Sequence, residues 1–297
     1  HILNRGNAPG RRYGLGGIMS YNRGQTSRAT FGTVEDGPAG SAVSNFRVFY
    51  QAWPRGGDLA LSVDGAESTI VSTQSDRVED RVHEIRVDDG AHELEVGVED
   101  GRLRLYGVVM EREGPGVVVD GLMLIGARGR RLALFDAEHF ARQVALRELD
   151  LLVFWMGGND AESEYFDRDG FLEDYGTGIA HARAGRPEAS CLVVSILDLG
   201  ESPGGRTRRR VPRIVEAQQE LAAAHECAFL NFFEAMGGSG TMRSWFRQNP
   251  RLVSADYTHP TITGARIVGR TLSHSLLRGF DEWLAATENA EPECEGP

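Results

Sequence analysis

The sequence predicts an α/β protein in which a parallel sheet is covered by helices and an antiparallel β-sandwich of jelly-roll type is inserted. Between about residues 117 and 284, apolar runs of strand length alternate with stretches of helix length. That order is typical of a parallel sheet in a three-layer domain. Between about 42 and 112, hydrophobic residues recur at every second position and are separated by turn signals, as in short antiparallel strands.

The sandwich prediction depends on the alternation and on the turns. Phe46, Val48 and Tyr50 share one face of a strand, and later strands end at Asp-Gly pairs such as Asp64-Gly65 and Asp100-Gly101. Residues 42–112 are therefore expected to form this module. Residues 1–41 are rich in Gly, Arg, Asn and Ser, and we expect them to be mostly loop: a remnant of the other domain and a linker.

Two aromatic residues of this module suggest a binding role. Trp53 and Tyr106 could stack on a sugar ring, which would make the sandwich carbohydrate-binding. The alternative is that both rings fill the core of the sandwich or its junction.

The α/β domain is expected over 113–284, with an acidic, frayed tail at 285–297. The apolar run 117–125 could in part be a strand buried on both faces. The patterns that follow predict strands at 151–156, 191–197 and 228–232, and helices at 136–147, 170–184, 211–226 and 260–284. Sites in such sheets lie in loops beyond the carboxyl ends of the strands.

Charge and composition exclude several classes of function. The net charge of -11 argues against a nucleic-acid or anionic-membrane partner, and the one basic run, 206–210, is interpreted as a solvated loop. No apolar run approaches the roughly 18 residues of a membrane span. Oligomeric state does not follow from the sequence.

Cysteine spacing and motifs argue against a bound metal or nucleotide cofactor. Cys191, Cys227 and Cys294 are too widely spaced for a CxxC site, and no HExxH or Gly-Lys-Ser/Thr motif occurs. Cys191 and Cys227 each begin an apolar run, so buried structural thiols are expected, although a disulfide between them stays open.

A histidine and an aspartate close in sequence form the strongest candidate for chemistry. In Asp256-Tyr257-Thr258-His259-Pro260, the carboxylate can hold the imidazole in one tautomer, so that His259 acts as a general base. The other histidines lack comparable neighbours in the sequence and are expected to be surface or packing residues.

A second motif follows the run that starts at Leu151. In Gly157-Gly158-Asn159-Asp160, glycines allow a close backbone approach, and Asn159 can donate an N–H to an oxyanion. The two motifs resemble the third and fifth blocks of the SGNH (GDSL-type) hydrolases. The stretch Leu124-Ile125-Gly126 looks like the second block, and the resemblance implies that the backbone N–H of Gly126 is another oxyanion donor.

The resemblance also has a gap, because the first block of that superfamily supplies a serine nucleophile in a Gly-Asp-Ser stretch. No Gly-Asp-Ser occurs in this chain. Ser20, Ser239 and Ser254 are candidate substitutes, but each is better interpreted as a turn residue. We expect the chain, which begins at His1, to start after the first block, so that the serine lies upstream.

The resemblance implies a serine esterase that removes acyl groups, above all O-acetyl groups, from a carbohydrate such as peptidoglycan. Some two-domain members of the superfamily carry a β-sandwich before the second block, and several of them are bacterial cell-wall O-acetylesterases. The resemblance of this chain to those members implies an extracytoplasmic location. One alternative is an inactive, hydrolase-like carbohydrate-binding protein. Another is a carbohydrate O-acyltransferase, which would use the same residues.

Overall fold

The computed structural model describes residues 2–3, 8–22, 24, 27–37, 39–122, 124–163 and 165–288. The fold is mixed α/β, and the chain divides into two compact units. The first comprises residues 1–126, 130–150 and 177–189, and the second comprises residues 127–129, 151–176 and 190–297. Of the predicted tail at 285–297, residues 285–288 belong to the last helix, and residues from 289 onward lie outside the described part.

The first unit contains two antiparallel sheets. Their strands are β1 (Ile2–Leu3), β2 (Met19–Tyr21), β3 (Arg28–Gly32), β4 (Val43–Ala52), β5 (Asp58–Val63), β6 (Thr69–Ser72), β7 (Glu79–Gly90), β8 (Glu93–Asp100) and β9 (Arg104–Glu111). One sheet has the order β1-β2-β9-β4-β7 and the other has the order β3-β8-β5-β6.

Period-two alternation explains the core of this unit. Phe46 and Val48 of β4, Leu59 and Leu61 of β5, and Leu94 of β8 are almost fully buried in one cluster, to which both sheets contribute. The predicted turns form, since Asp64 and Gly65 both have positive φ at the end of β5. The strands expected between 42 and 112 are thus confirmed.

The N-terminal region contains short strands that the sequence analysis did not predict. Most described residues of 1–41 form loops, as expected, but β1, β2 and β3 also lie there and extend both sheets. Short strands with few apolar residues are stabilised by pairing with strands distant in sequence, as when Thr30 of β3 pairs with Glu95 of β8.

The apolar run 117–125 differs from the expectation that part of it could be a strand buried on both faces. Its described residues form no strand, and Val117, Val119 and Ile125 are 91%, 87% and 84% exposed. An apolar run becomes a buried strand only when a neighbouring strand satisfies its N–H and C=O groups. None of the described strands pairs with this segment. A short 3-10 helix, Gly129–Leu134, comes next, followed by helix α1 (Ala137–Arg147), whose N-cap Asp136 accepts a hydrogen bond from the backbone N–H of His139.

The second unit contains a three-stranded parallel sheet. Strands β10 (Leu151–Phe154), β11 (Ser190–Val194) and β14 (Ala228–Leu230) pair in the order β10-β11-β14, and β12 (Gly200–Glu201) pairs with β13 (Arg206–Thr207) in a small hairpin. The helices that follow α1 are α2 (Gly158–Ala161), α3 (Arg168–Arg183), α4 (Arg210–Ala224), α5 (Phe232–Ala235), α6 (Thr241–Phe246) and α7 (Ile262–Glu288). The four long helices and three apolar strands predicted for this region are confirmed within a few residues.

Helix α4 lies against β11 and β14 through an apolar stripe that contains one glutamine. Gln218 is fully buried; its Nε2 donates to the carbonyl of Met156 (2.7 Å), and its Oε1 accepts from the N–H of Ile196 (3.0 Å). These two residues follow β10 and β11. Gln218 therefore fixes the chain beyond the carboxyl ends of both strands, where sites of parallel sheets lie.

A disulfide joins Cys191 of β11 to Cys227, the residue before β14. It settles the alternative that the sequence left open and corrects the expectation of free buried thiols. No helix in the described part of the chain is long and apolar enough to span a membrane.

Candidate active site

The Asp256-to-His259 loop forms the predicted pair. The Nδ1–H of His259 donates to Oδ2 of Asp256 (2.8 Å), while Oδ1 accepts from the backbone N–H groups of Thr258 (2.9 Å) and His259 (3.0 Å). Because an ionised carboxylate only accepts, it holds the proton of a neutral imidazole on Nδ1. The lone pair is then on Nε2, and the His259 side chain is 75% exposed.

These hydrogen bonds keep Asp256 ionised. Partial burial by itself raises the pKa of this carboxyl, but the N–H groups of His259 and Thr258 and the His259 ring outweigh burial and lower the pKa to about 2. The carboxylate therefore stays charged at any pH at which the imidazole can act as a base.

Two other histidines also have carboxylate partners, but these carboxylates are distant in sequence. His92 Nδ1 bonds Asp64 (2.6 Å), and the His139 Nδ1 bonds Asp80 (2.7 Å). Their partners lie 28 and 59 residues away, so no local motif revealed them.

The second ring nitrogen separates the three pairs. Nε2 of His92 is bonded to the carbonyl of Asp88 (2.8 Å), and Nε2 of His139 is bonded to the carbonyl of Tyr13 (2.7 Å). Nε2 of His259 makes no hydrogen bond to any described residue, although the carboxylate fixes its ring. Among these three pairs, His259 alone has a nitrogen free to accept a substrate-derived proton.

Tyr257, which sequence analysis missed as a functional residue, holds in place the loop of residues 256–259, which we call the dyad loop because it carries the Asp256–His259 dyad. It has a φ of 57°, and its carbonyl accepts a hydrogen bond from the N–H of Gly200 (2.8 Å). A Cβ placed on Gly205 would lie 2.5 Å from Cδ1 of its ring, and the ring packs on Phe246 at 4.6 Å between centroids. The β12–β13 hairpin and α6 therefore support the loop from outside.

The Gly-Gly-Asn-Asp motif opens α2 directly beyond β10, as predicted. Asn159 Nδ2 donates to the carbonyl of Ala127 (3.0 Å), and Asp160 Oδ2 accepts from the N–H of Gly129 (3.0 Å). A Cβ on Gly129 would lie 2.9 Å from the Phe171 ring, so the segment passes close to helix α3. One Nδ2 hydrogen of Asn159 is thus used to hold segment 127–129, and the second is available to another acceptor.

Gly126 directly precedes Ala127 in the chain. Its φ of 68° lies in the left-handed region that favours glycine, and the residue is exposed. The structure therefore joins Asp256 to His259, and Asn159 to the residue after Gly126, but it records no hydrogen bond between these two groups among the described residues.

The three candidate serines do not complete the dyad. Ser20 lies in β2, and Ser239 lies in the loop before α6. Ser254 donates its backbone N–H to the carbonyl of His259 (2.8 Å). In the described part of the chain, no hydroxyl of the three bonds the imidazole.

The hypothesis that Trp53 and Tyr106 stack on a sugar ring is not supported. Trp53 and Tyr106 are 7% and 4% exposed, so neither ring presents a face to solvent. Arg104 covers the Trp53 ring at 4.6 Å, while the Tyr106 hydroxyl donates to Asp80 and accepts from Gln51. The core alternative fits, because buried aromatic rings fill space and their polar atoms find partners.

Among the described residues, no group of three or more His, Cys, Asp or Glu side chains is placed to hold a metal ion. The structure brings together one histidine and one carboxylate, His259 and Asp256.

Together, the parallel sheet and the His–Asp pair in a loop of the same unit define an α/β protein of hydrolase type. The chain belongs to the GDSL-like lipase/acylhydrolase family, whose model matches residues 94–267, more than half of the chain. The membership expected from the sequence motifs is thereby confirmed.

One solved structure supports the fold, and two further matches have lower TM-scores. A peptidoglycan O-acetylesterase is 20% identical over 94% of this chain and 75% of that chain, with a TM-score of 0.67. A salicylyl acyltransferase from a tetracycline biosynthetic pathway is 16% identical over 91% and 84%, with a TM-score of 0.37. A family two carbohydrate esterase from Clostridium thermocellum is 11% identical over 95% and 99%, with a TM-score of 0.36. No curated protein matches the chain.

Proposed function

We propose that this protein is a serine esterase of SGNH type that removes acyl groups, above all O-acetyl groups, from a carbohydrate such as peptidoglycan. The observation that carries the proposal is the free Nε2 of His259 on a ring fixed by Asp256. By contrast, Nε2 of His92 and Nε2 of His139 are each bonded to a backbone carbonyl. Family membership supports acyl chemistry, and the fold of the peptidoglycan O-acetylesterase supports the substrate class.

In the proposed mechanism, a serine hydroxyl gives its proton to His259 Nε2 and its oxygen attacks the ester carbonyl. Asp256 stabilises the imidazolium that forms. The N–H of Gly126, the second Nδ2 hydrogen of Asn159 and the serine's own N–H stabilise the oxyanion. The imidazolium then protonates the leaving sugar oxygen, which departs as a hydroxyl group, and water, deprotonated by the same nitrogen, attacks the acyl-enzyme and releases the acyl group as a carboxylic acid.

We propose that the serine lies on a strand outside these 297 residues that pairs with β10. Within the described chain, β10 pairs with β11 on one side only. Its Leu151 and Val153 are 40% and 43% exposed, which is unusual because parallel strands are normally covered on both faces. No Gly-Asp-Ser sequence within the chain competes for the role.

We further propose that the two antiparallel sheets form a β-sandwich inserted into a three-layer hydrolase domain. A single hydrophobic core cluster, to which residues of both sheets contribute, supports this proposal. For the α/β part, α4 packs on β11 and β14, and Val268 and Leu272 of α7 pack with Leu192 and Val194 of β11. An extracytoplasmic location is supported by the Cys191–Cys227 disulfide, because disulfides persist in oxidising compartments.

The test uses the protein together with the coding sequence that precedes His1. Hydrolysis of p-nitrophenyl acetate and release of acetate from O-acetylated peptidoglycan are expected, and His259→Ala is expected to abolish both. His92→Ala is the matched control, because it removes a histidine with the same Asp–Nδ1 bond but an engaged Nε2. Full activity in His259→Ala would refute the proposal.

Product analysis separates hydrolysis from acyl transfer. Free acetate indicates an esterase, whereas a newly acetylated sugar indicates a transferase. If the preceding sequence encodes no serine nucleophile and both assays stay silent, the inactive carbohydrate-binding alternative takes the place of the esterase.

A further inference from the structure

The basic run 206–210 does not take part in the proposed chemistry. Together with segment 240–259 it concentrates positive charge in a strongly acidic protein. Segments 199–210 and 240–259 hold seven arginines and two acidic residues, a formal charge of +5, whereas the whole chain has -11. The arginines, which we call the arginine rim, are Arg206, Arg208, Arg209, Arg210, Arg243, Arg247 and Arg251.

The arginine rim is built around the dyad loop. Gly200, at the start of the hairpin that carries Arg206, donates its N–H to the Tyr257 carbonyl (2.8 Å). A Cβ on Gly205 would lie 2.5 Å from the Tyr257 ring and 3.1 Å from the Cα of Arg243. Tyr257 lies one residue after Asp256 and two before His259, so both rim segments contact the loop of the proposed base.

The α6 side of the rim continues the same arrangement. Phe246 packs on Tyr257 at 4.6 Å between centroids, and the guanidinium carbon of Arg251 lies 4.2 Å from the Phe246 ring centroid. Arg251 is thus held over the ring by a cation–π contact with its N–H groups left for other partners.

Two of these arginines have no counterion among the described residues. Arg243 and Arg247 are exposed and form no ion pair or hydrogen bond with a described residue. Arg206, by contrast, is paired with Glu201 (2.6 Å), and the Arg208 guanidinium lies 3.9 Å from Glu162. Like charges gathered without counterions repel one another, which favours the approach of an anion.

We propose that the arginine rim binds carboxylate groups of the substrate, so that the preferred substrate is an acylated polysaccharide with carboxylates close to the ester. Guanidinium groups bind carboxylates through two parallel hydrogen bonds, which gives both attraction and orientation. A polymer bound in this way presents its acyl group beside His259. The inference rests on the proposed esterase function and adds the charge of its substrate.

The first experiment measures binding and uses the 297-residue chain, so it does not depend on hydrolysis. Oligogalacturonate is titrated into the chain by calorimetry at low salt and at 0.5 M salt, which screens exposed charges. Arg243→Gln with Arg247→Gln is expected to weaken binding about four- to twentyfold, since exposed ion pairs contribute a few-fold each. The control, Arg55→Gln with Arg270→Gln, removes two other exposed and unpaired charges and is expected to bind like wild type.

The second experiment measures specificity with the serine-containing protein. Acetylated polygalacturonate and acetylated xylan, a neutral polymer, are compared by kcat/KM. The ratio of the acidic to the neutral value is expected to fall at least fourfold in the Arg243/Arg247 variant, mainly through KM, and to stay constant in the control.

Each outcome decides between the two ideas. An esterase that cleaves acetylated xylan but shows the same acidic-to-neutral ratio in both variants overturns the arginine rim and leaves the proposed function intact. Binding of oligogalacturonate through Arg243 and Arg247, together with a serine-containing protein that cleaves no ester, supports the rim and overturns the esterase. Equal binding of dextran sulfate and oligogalacturonate would identify a nonspecific polyanion surface and overturn carboxylate recognition.

Discussion

Changing Asp256 to Asn alters one atom of the dyad and leaves its backbone contacts in place. The amide oxygen of Asn can still accept from the N–H groups of Thr258 and His259, which now bond Oδ1 at 2.9 and 3.0 Å. At the other position, an NH₂ group replaces the oxygen that now faces the Nδ1 of His259 at 2.8 Å. Because NH₂ donates, Nδ1 must become the acceptor, and the proton moves to Nε2.

That exchange of tautomers removes the proposed base without removing the imidazole. In serine proteases, the equivalent replacement lowers kcat by about 10⁴ through the same tautomer change. This corresponds to about 5.4 kcal/mol of transition-state stabilisation, at 1.36 kcal/mol for each factor of ten. A loss of about 10³- to 10⁴-fold is therefore expected here, and KM for a short ester should change little.

The assay is steady-state hydrolysis of p-nitrophenyl acetate by the serine-containing protein at pH 7. Asp64→Asn is the control, because Asp64 holds His92 in the same way outside the proposed site. A loss of less than tenfold for Asp256→Asn, or an equal loss for Asp64→Asn, would refute the role of the carboxylate.

The same variant gives a stability prediction with a definite sign. The folded-state pKa of Asp256, about 2, lies below the ordinary value of 3.8, so its ionised form stabilises the fold above about pH 4. This contribution is lost as the pH falls through 4 towards 2. The difference in Tm between wild type and Asp256→Asn should shrink over that range, and a difference that grows would contradict the hydrogen-bond explanation.

Three further changes test other parts of the structure. Asn159→Ala should lower kcat by about 10²- to 10³-fold, as the loss of one oxyanion donor does, and activity equal to wild type would exclude it from that role. Gly205→Ala should destabilise the protein by about 1 to 3 kcal/mol in chemical denaturation, because the new methyl group meets the dyad-loop ring at 2.5 Å. Gly204→Ala has a similarly positive φ but no atom within 4 Å, so an equal loss would point to backbone strain alone. Replacing Cys191 and Cys227 with Ser opens a loop of 36 residues and should lower the free energy of unfolding by about 4 kcal/mol, whereas no change would show that the bond does not restrict the unfolded chain.

The sequence predicted features that depend on near neighbours. Asp256 and His259 are three residues apart, and their bond needs only one loop conformation. Period-two alternation and Asp-Gly turns were sufficient to predict the strands between 43 and 111, because one buried face of a strand sets its register.

Features that depend on distant partners were missed. The carboxylate that binds His92 comes from the turn after β5 and the one that binds His139 comes from β7, and the partners of β1 to β3 lie up to 85 residues away. Whether Trp53 and Tyr106 are buried depends on how the sheets pack, which residue type does not reveal. Gln218 did carry a signal, since a glutamine in the apolar stripe of a helix must find buried partners.

The one-sided pairing of β10 has a practical consequence for handling the 297-residue chain. A row of backbone N–H and C=O groups flanked by Leu151 and Val153 is a template for adding a strand from another molecule. Concentrated solutions of this chain should therefore form oligomers through intermolecular sheet extension. A lysine introduced at Val153 would place a charge on that margin and should keep the chain dispersed.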